Sequence, residues 1–433
     1  GAGGADTLTG DSLANGLLGA GGDDVLSGGD GDDTLTGGAG NDSLIGGEGT
    51  DVVDFSQAGI TQNTLYDLSV QQVNFEGNDT LVSIEGVIAG AGDDTLVGTN
   101  ARNFLDGGAG NDLLNSGSGN DVLRASAGVD TLDGGAGIDV LEFDFSFTGN
   151  SVTFAGSDTS ILDTTQILNS SNNKSVANFE RVNIIGSVGN DELLGGLQAD
   201  TIDGDQGNDT VHAGGGGIDS LTGGAGSDLL TIDLSGQTQD ISITGGGNTT
   251  LNDGTFIGGF EAFNIQFGSG NDSLDLGLAN LSDTVDGGAG DDTIGTARGN
   301  DTLDGGAGTD LLVFDFSFTG NSVSFAGTDT DLTAATQILN ASNNKLISNF
   351  ERINITGSTG SDELVGGILN DTLIGSFGND TIHAGGGGID SLVGGSGSDS
   401  LTVDLSAQTQ DISISAGGNT TLNDGTFIGG FEA

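Results

Sequence analysis

The stretch "GGDGDDTLTGGAGNDSLIGGEGTD", residues 28–51, decides how the rest of the chain is read. An acid follows a glycine-rich turn every nine residues, at Asp33, Asp42 and Asp51, and the series runs backwards through Asp24, Asn15 and Asp6. Aligned on the acid, "GGDGDDTLT", "GGAGNDSLI", "GGAGNDLLN" and "GGAGTDLLV" share the rule G-G-x-G-x-D-x-apolar-x. Glycine permits positive φ and close approach of backbone carbonyls to an ion. The last three positions alternate, so one apolar side chain points inward and its neighbours point out. Six residues of turn and three of strand make half a coil, so two nonapeptides complete one turn of a solenoid.

That stacking predicts that acids two repeats apart, such as Asp24 with Asp42 and Asp33 with Asp51, lie one coil apart. Successive coils sit about 4.8 Å from one another. At an effective dielectric near 20, two such carboxylates repel by roughly 3 kcal/mol. The chain has only 7 Lys and Arg against 63 Asp and Glu, a formal charge of −56, so its own cations cannot neutralise the ladder. Nucleic acid is excluded by the same sign, because its phosphates would be repelled. Hard carboxylate oxygens favour calcium or magnesium. One divalent ion between each pair of acids, with glycine carbonyls completing its shell, turns repulsion into cross-linking.

Hydrophobic residues make up only 34 %, and there are 85 glycines and no proline. The strict placement of Leu, Ile and Val argues for a thin solenoid core rather than disorder. Without cysteine there are neither disulfides nor thiolate metal sites. No apolar run reaches the roughly 20 residues of a transmembrane helix. The absence of methionine reads as a processed or excised piece of a longer chain.

Self-comparison exposes a longer period. Thr131–Ala262 recurs without a gap as Thr302–Ala433, an offset of 171 residues, with about three quarters of positions identical. The blocks read as 1–54, 89–142, 186–231, 268–313 and 357–402. Between them lie β-rich inserts at 55–88, 143–185, 232–267 and 314–356, with a truncated one at 403–433. Each insert opens near "VDFS", "FDFS", "IDLS" or "VDLS" (Asp54, Asp144, Asp233, Asp315, Asp404) and closes on a Phe-Glu or Ile-Glu pair at Glu85, Glu180, Glu261, Glu351 or Glu432. Thr, Ser, Val, Ile and Phe in alternation predict strands there. Residues 159–173, "TSILDTTQILNSSNN", carry apolar residues at 161, 162, 167 and 168 and are the one candidate helix.

The nonapeptide resembles the RTX (repeats-in-toxin) calcium-binding family. The resemblance implies an all-β fold, a parallel β-roll or β-helix solenoid interrupted by β-rich inserts, with a row of Ca²⁺ along each edge. It implies that the position-six acids share the ions. In the first block these are Asp6, Asp24, Asp33, Asp42 and Asp51; in the second, Asp94, Asp112, Asp121, Asp130 and Asp139. The third supplies Asp191, Asp200, Asp209, Asp219 and Asp228, and the fourth Asp272, Asp283, Asp292, Asp301 and Asp310. Asp362, Asp371, Asp380, Asp390 and Asp399 belong to the fifth. The resemblance further implies type I secretion in an unfolded form, with folding in calcium outside a bacterial cell. Asn15 and Asn103 replace the acid and predict weak or vacant sites; the ten-residue steps to Asp219 and Asp390 and the eleven-residue step to Asp283 predict local bulges.

Other polar residues read as structural. His212 and His383 are position-nine strand residues without a second histidine or cysteine, so solvated surface is expected rather than zinc or catalysis. The closing glutamates are expected to cap the first loop of the next block or to bind an edge cation. The Asp of each "DFS" or "DLS" phrase is expected either to hold the last ion of its block or to serve a turn. Arg181 and Arg352 read as local charge partners. No G-x-S-x-G elbow with a supporting histidine occurs, and nothing argues for catalysis. The expected function is an extracellular, calcium-rigidified array that forms a surface layer, sheath, filament or adhesin stalk and self-associates or continues in a longer array. The alternative is a secretion and folding module of a larger toxin or enzyme.

Overall fold

The computed structural model describes residues 1, 3–56, 61–70, 72–73, 78–155, 161, 165–169, 172–277, 281–296, 298–326, 332, 336–340, 344–403 and 418–431. Asp404 and Glu432 fall outside them. No described residue is α-helical. Contacts divide the chain into two units, Gly1–Gly226 and Ser227–Ala433.

In the first unit the tail of each nonapeptide forms a strand. Thr7–Thr9, Val25–Asp30 and Ser43–Glu48 lie on one face; Gly16–Gly21, Thr34–Ala39 and Val52–Asp54 lie on the other. Pairing is parallel, Leu8 with Leu26 with Leu44 and Leu17 with Leu35 with Val53, so every coil takes two nonapeptides as expected. Strands this short turn one large side chain inward. Leu26, Leu35, Leu44, Val53, Leu96, Leu105, Leu114 and Leu123 are each fully buried. Burying one such side chain contributes roughly 1.5–3 kcal/mol; each face of the nonapeptide coils supplies one file of aliphatic residues, joined at the inserts by buried Tyr66, Phe145 and Phe179.

The glycines are forced by the stacking. Gly38 and Gly40 have φ of 99° and 143°, and a Cβ on either would strike the carbonyl of Ala20 or Gly22 in the neighbouring coil. Ala20, Asp205 and Ser376 hold the same second position of their loops with φ of 86°, 67° and 76°, a conformation that costs side-chain-bearing residues free energy.

The inserts are strand-built, and each adds strands to one face while the other face continues. Across 143–185, Val140–Asp144 pairs directly with Arg181–Ile185 in parallel. On the opposite face Lys174–Ala177 pairs in parallel with Asp130–Asp133, then in antiparallel fashion with Thr165–Leu168, which pairs with Thr153–Ala155. Where the candidate helix at 159–173 is described it is corrected: Thr165–Leu168 is a strand, with Thr165 and Ile167 buried and Gln166 and Leu168 exposed, while 159–160, 162–164 and 170–171 lie outside the described residues. The first insert repeats the scheme with Leu65–Asp67, Gln72–Val73 and Asp79–Val82.

The second unit has the same grammar. Leu229–Asp233, Ala262–Gln266, Thr284–Asp286 and Asp301–Asp304 follow in parallel on one face. Ser273–Asp275, Thr293–Thr296, Leu311–Asp315, Arg352–Thr356, Thr372–Ile374 and Ser391–Val393 follow on the other. The insert at 314–356 reproduces the hairpin of 143–185, with Lys345–Ser348 seated on Asp301–Asp304. Within 232–267 the antiparallel pair is Asn248–Thr250 with Phe256–Gly258.

Candidate metal centres

The position-six acids are buried rather than surface charges, apart from Asp6, which is half-buried. Asp24, Asp33, Asp42, Asp51, Asp94, Asp112, Asp121, Asp139, Asp292 and Asp310 are each at most 2 % exposed. In each case the loop backbone explains the placement. Oδ1 accepts a backbone N–H from one coil earlier, usually that of the preceding acid: Asp24 N–H donates to Asp42 at 2.8 Å, Asp33 to Asp51 at 2.9 Å and Asp94 to Asp112 at 2.8 Å, while Asn15, Thr64 and Asn103 serve Asp33, Asp94 and Asp121. The same bond links Asp191 to Asp209, Asp272 to Asp292 and Asp362 to Asp380. It survives the bulges, from Asp200 to Asp219 and from Asp371 to Asp390, over 19 residues rather than 18. Asp6 donates to Asp24 and Asp283 to Asp301 in the same way.

Oδ2 then decides what each site can hold. It is buried without a hydrogen-bond partner in Asp24, Asp33, Asp42, Asp51, Asp94, Asp112, Asp121, Asp139, Asp272, Asp292, Asp310, Asp380 and Asp399. A buried, unpaired carboxylate oxygen is costly, and an oxygen-seeking cation satisfies it. The space beside it is a cradle. A Cβ on Gly19 would meet the Asp24 carboxylate and, at 2.6 Å, the Gly37 carbonyl of the next coil. The donor set thus fits a hard divalent cation: carboxylate oxygens from neighbouring coils plus glycine carbonyls. Among the described residues no three His, Cys, Asp or Glu side chains converge, so backbone oxygens must supply much of any shell.

Electrostatics agree. Burial first, then the neighbouring acids, push the Asp112, Asp292 and Asp380 carboxyls up to about 7. Burial likewise raises Asp139 and Asp310 to about 6 and raises Asp42 and Asp51. A counter-ion is what such groups need to stay ionised.

At several predicted sites the protein supplies its own donors to Oδ2. Ser187 N–H and Ser358 N–H occupy it in Asp191 and Asp362; Gly196 and Gly367 do so in Asp200 and Asp371 at 2.8 and 2.9 Å. Lys174 and Lys345 occupy it in Asp130 and Asp301. Where Asn103 replaces the acid, its Nδ2 donates to the Glu85 carbonyl at 2.9 Å, a neutral substitute for a cation.

The closing glutamates cap, but in the opposite direction to expectation. Glu85, Glu180, Glu261 and Glu351 accept the N–H of Asp51, Asp139, Asp228 and Asp310, the last acids of the preceding blocks, at 2.8–3.0 Å. Each stands where the next coil's aspartate would. Asp54, Asp144, Asp233 and Asp315 make Asx turns to the N–H two residues on. Arg181 and Arg352 donate to the carbonyls of Ala199 and Asn370. His212 and His383 are about one-third exposed, 3.8 and 3.6 Å from Glu192 and Glu363.

Sequence reasoning missed Asp79. It is 2 % exposed, accepts the Asp42 N–H at 2.8 Å, and burial raises it to about 7. Its signal was present, since "GNDTLV" at 77–82 is a nonapeptide tail within an insert. Position five was also missed: Asp23 accepts the Asn41 N–H and Asp93 that of Asn111, an outer ladder running opposite to the inner one.

Known proteins carry the same signature. The profile of the RTX calcium-binding nonapeptide repeat (4 copies) matches residues 18–53, 88–123, 113–141, 183–211, 213–231, 279–312, 356–388 and 385–404, about half of the chain. The chain belongs to this family of calcium-binding repeat proteins, and its fold is an all-β parallel roll. No curated protein sequence matches it. Among solved structures, the extracellular lipase LipA from Serratia marcescens is similar at 16 % identity and a TM-score of 0.19, over 60 % of this chain. The chain spans 38 % of that lipase's length. No helix among the described residues is long and apolar enough to cross a membrane.

Proposed function

We propose that the chain is an extracellular structural protein, a surface-layer, filament or adhesin array rigidified by several calcium ions. The observation that carries this reading is the file of buried Oδ2 atoms without protein partners, repeated along both edges of the coils. Each ion is assigned to a pair of acids one coil apart, such as Asp24 with Asp42, Asp33 with Asp51, Asp94 with Asp112, and Asp292 with Asp310. Secretion before folding is what membership of the family suggests, and the charge is compatible with it: the metal-free chain repels itself and gains a core where calcium is abundant. The recurrence of Thr131–Ala262 as Thr302–Ala433, at an offset of 171 residues and with about three quarters of positions identical, supports a repetitive scaffold.

The test is a calcium titration of chelated protein, followed by circular dichroism and light scattering, with magnesium as control. A calcium-specific gain of β-structure with growth of ordered particles is expected. A discrete calcium-loaded monomer would overturn the array and favour a folding module; β-structure that persists in chelator would overturn the calcium role itself.

A further inference from the structure

The register across the inserts places a base where the pattern demands an acid. Leu113 pairs with Thr131, which sets Asp112 beside Asp130; one coil further, Asp130 pairs directly with Lys174. The second copy repeats this, with Asp301 opposite Lys345. Both lysine side chains are completely buried. The Lys174 ammonium donates to Asp130 Oδ2, to the Ser126 carbonyl at 2.9 Å and to the Gly128 carbonyl at 3.1 Å. Lys345 donates to Asp301 Oδ2, to the Arg298 carbonyl at 2.9 Å and to the Gly299 carbonyl at 3.0 Å. These acceptors are a position-six carboxylate and turn carbonyls of its own loop, the kind of oxygens a calcium ion would use. The rings of Phe143 and Phe314 flank the two ammonium groups at 5.7 Å.

We propose that Lys174 and Lys345 are built-in cations that fill the metal position at the seat of their inserts, so that Asp130 and Asp301 bind no calcium through Oδ2. Charge balance carries the argument. An ordinary pair joins two carboxylates to one divalent ion and is neutral; here one carboxylate meets one ammonium and is neutral already. A calcium ion added at this place would confront an ammonium and only one acid, and would have no free Oδ2 to bind. The inserts at 143–185 and 314–356 are thereby fastened to the roll by covalently supplied charge. This inference rests on the calcium reading of the remaining acids, but its first test does not.

Lys174 and Lys345 are the only two lysines in the chain, so amine chemistry reports on them alone, apart from the N-terminus. Reductive methylation of the folded, calcium-loaded protein, read by peptide mass spectrometry, is expected to label the α-amino group and leave both Nζ atoms unmodified. Both should label when the protein is unfolded in denaturant. Ready labelling of either Nζ in folded protein would overturn the proposal, whatever calcium does elsewhere. The second test is the double variant Lys174→Asp, Lys345→Asp, which restores the acid at both places. Equilibrium dialysis should show two more calcium ions per folded chain than the parent binds. An unchanged count in folded variant would overturn the proposal; if the variant fails to fold, the labelling result on native protein decides.

Discussion

Two inserts seat a closing strand on the first unit in the same way and differ in the charge at the seat. The strand Asp79–Val82 closes the first and places an acid opposite Asp42; the strand Lys174–Ala177 closes the second and places a base opposite Asp130. Asp79 leaves a buried carboxylate with a raised pKa. Lys174 leaves a neutral pair with every ammonium hydrogen used. The same backbone seat is thus built in two electrostatic versions, acid against acid in one and acid against base in the other.

Calcium withdrawal is the strongest way to probe that difference. Chelation is expected to abolish most of the β-signal in circular dichroism, because dozens of uncompensated acids oppose so thin a core. Hydrogen exchange followed through the transition should show Lys174–Ala177 protected to lower calcium than Asp79–Val82. Simultaneous loss of both would break the comparison.

A core truncation should act on both versions alike. Leu114→Ala removes a fully buried side chain from one of the aliphatic files and is expected to cost about 2–5 kcal/mol in the calcium-loaded state, read by denaturant titration.

Acid should replace calcium in part. The Asp112, Asp292 and Asp380 carboxyls lie near 7 in the folded chain, against an ordinary 3.8. Between those values the metal-free folded state binds more protons than the unfolded one, so its stability falls as pH rises. The destabilisation is absent below the lower value and complete above the upper. Lowering the pH from about 8 to about 5 in chelator should therefore restore β-structure. A metal-free stability that rises with pH across this window would refute the assignment of these acids as unpaired.

The smallest effects separate the two kinds of aspartate within one region. Asp79→Asn should lower the calcium count by one ion. Asp54→Ala, which removes only a turn to Ser56, should leave the count unchanged and cost about 1 kcal/mol.

Much of this was legible from residues 28–51. The nine-residue spacing, the inward Leu and the pairing of Asp24 with Asp42 all emerged in the fold, because local geometry and stacking obey one period. The inserts were harder. Their strands were legible as alternation, and Thr165–Leu168 alternates too, but four apolar positions over 159–173 mimicked a helical face. Lys174 was invisible as a site because its partner, Asp130, lies 44 residues away and only the register reveals the contact. For the glutamates, sequence proximity favours the next block, whereas their carboxylates bond to the previous one, 33 to 41 residues back.

The bond from one acid's N–H to the next coil's carboxylate tolerates a separation of 18, 19 or 20 residues. Each coil therefore recognises its neighbour by two buried points, an aliphatic side chain and a carboxylate, and ignores the length of chain between them. Such a protein is forgiving at the level of its gene. Unequal recombination that adds or drops a whole coil creates no foreign interface, and single-codon slips in a loop are absorbed as bulges. The two stretches 171 residues apart, alike at about three quarters of their positions, are what such a permissive template accumulates.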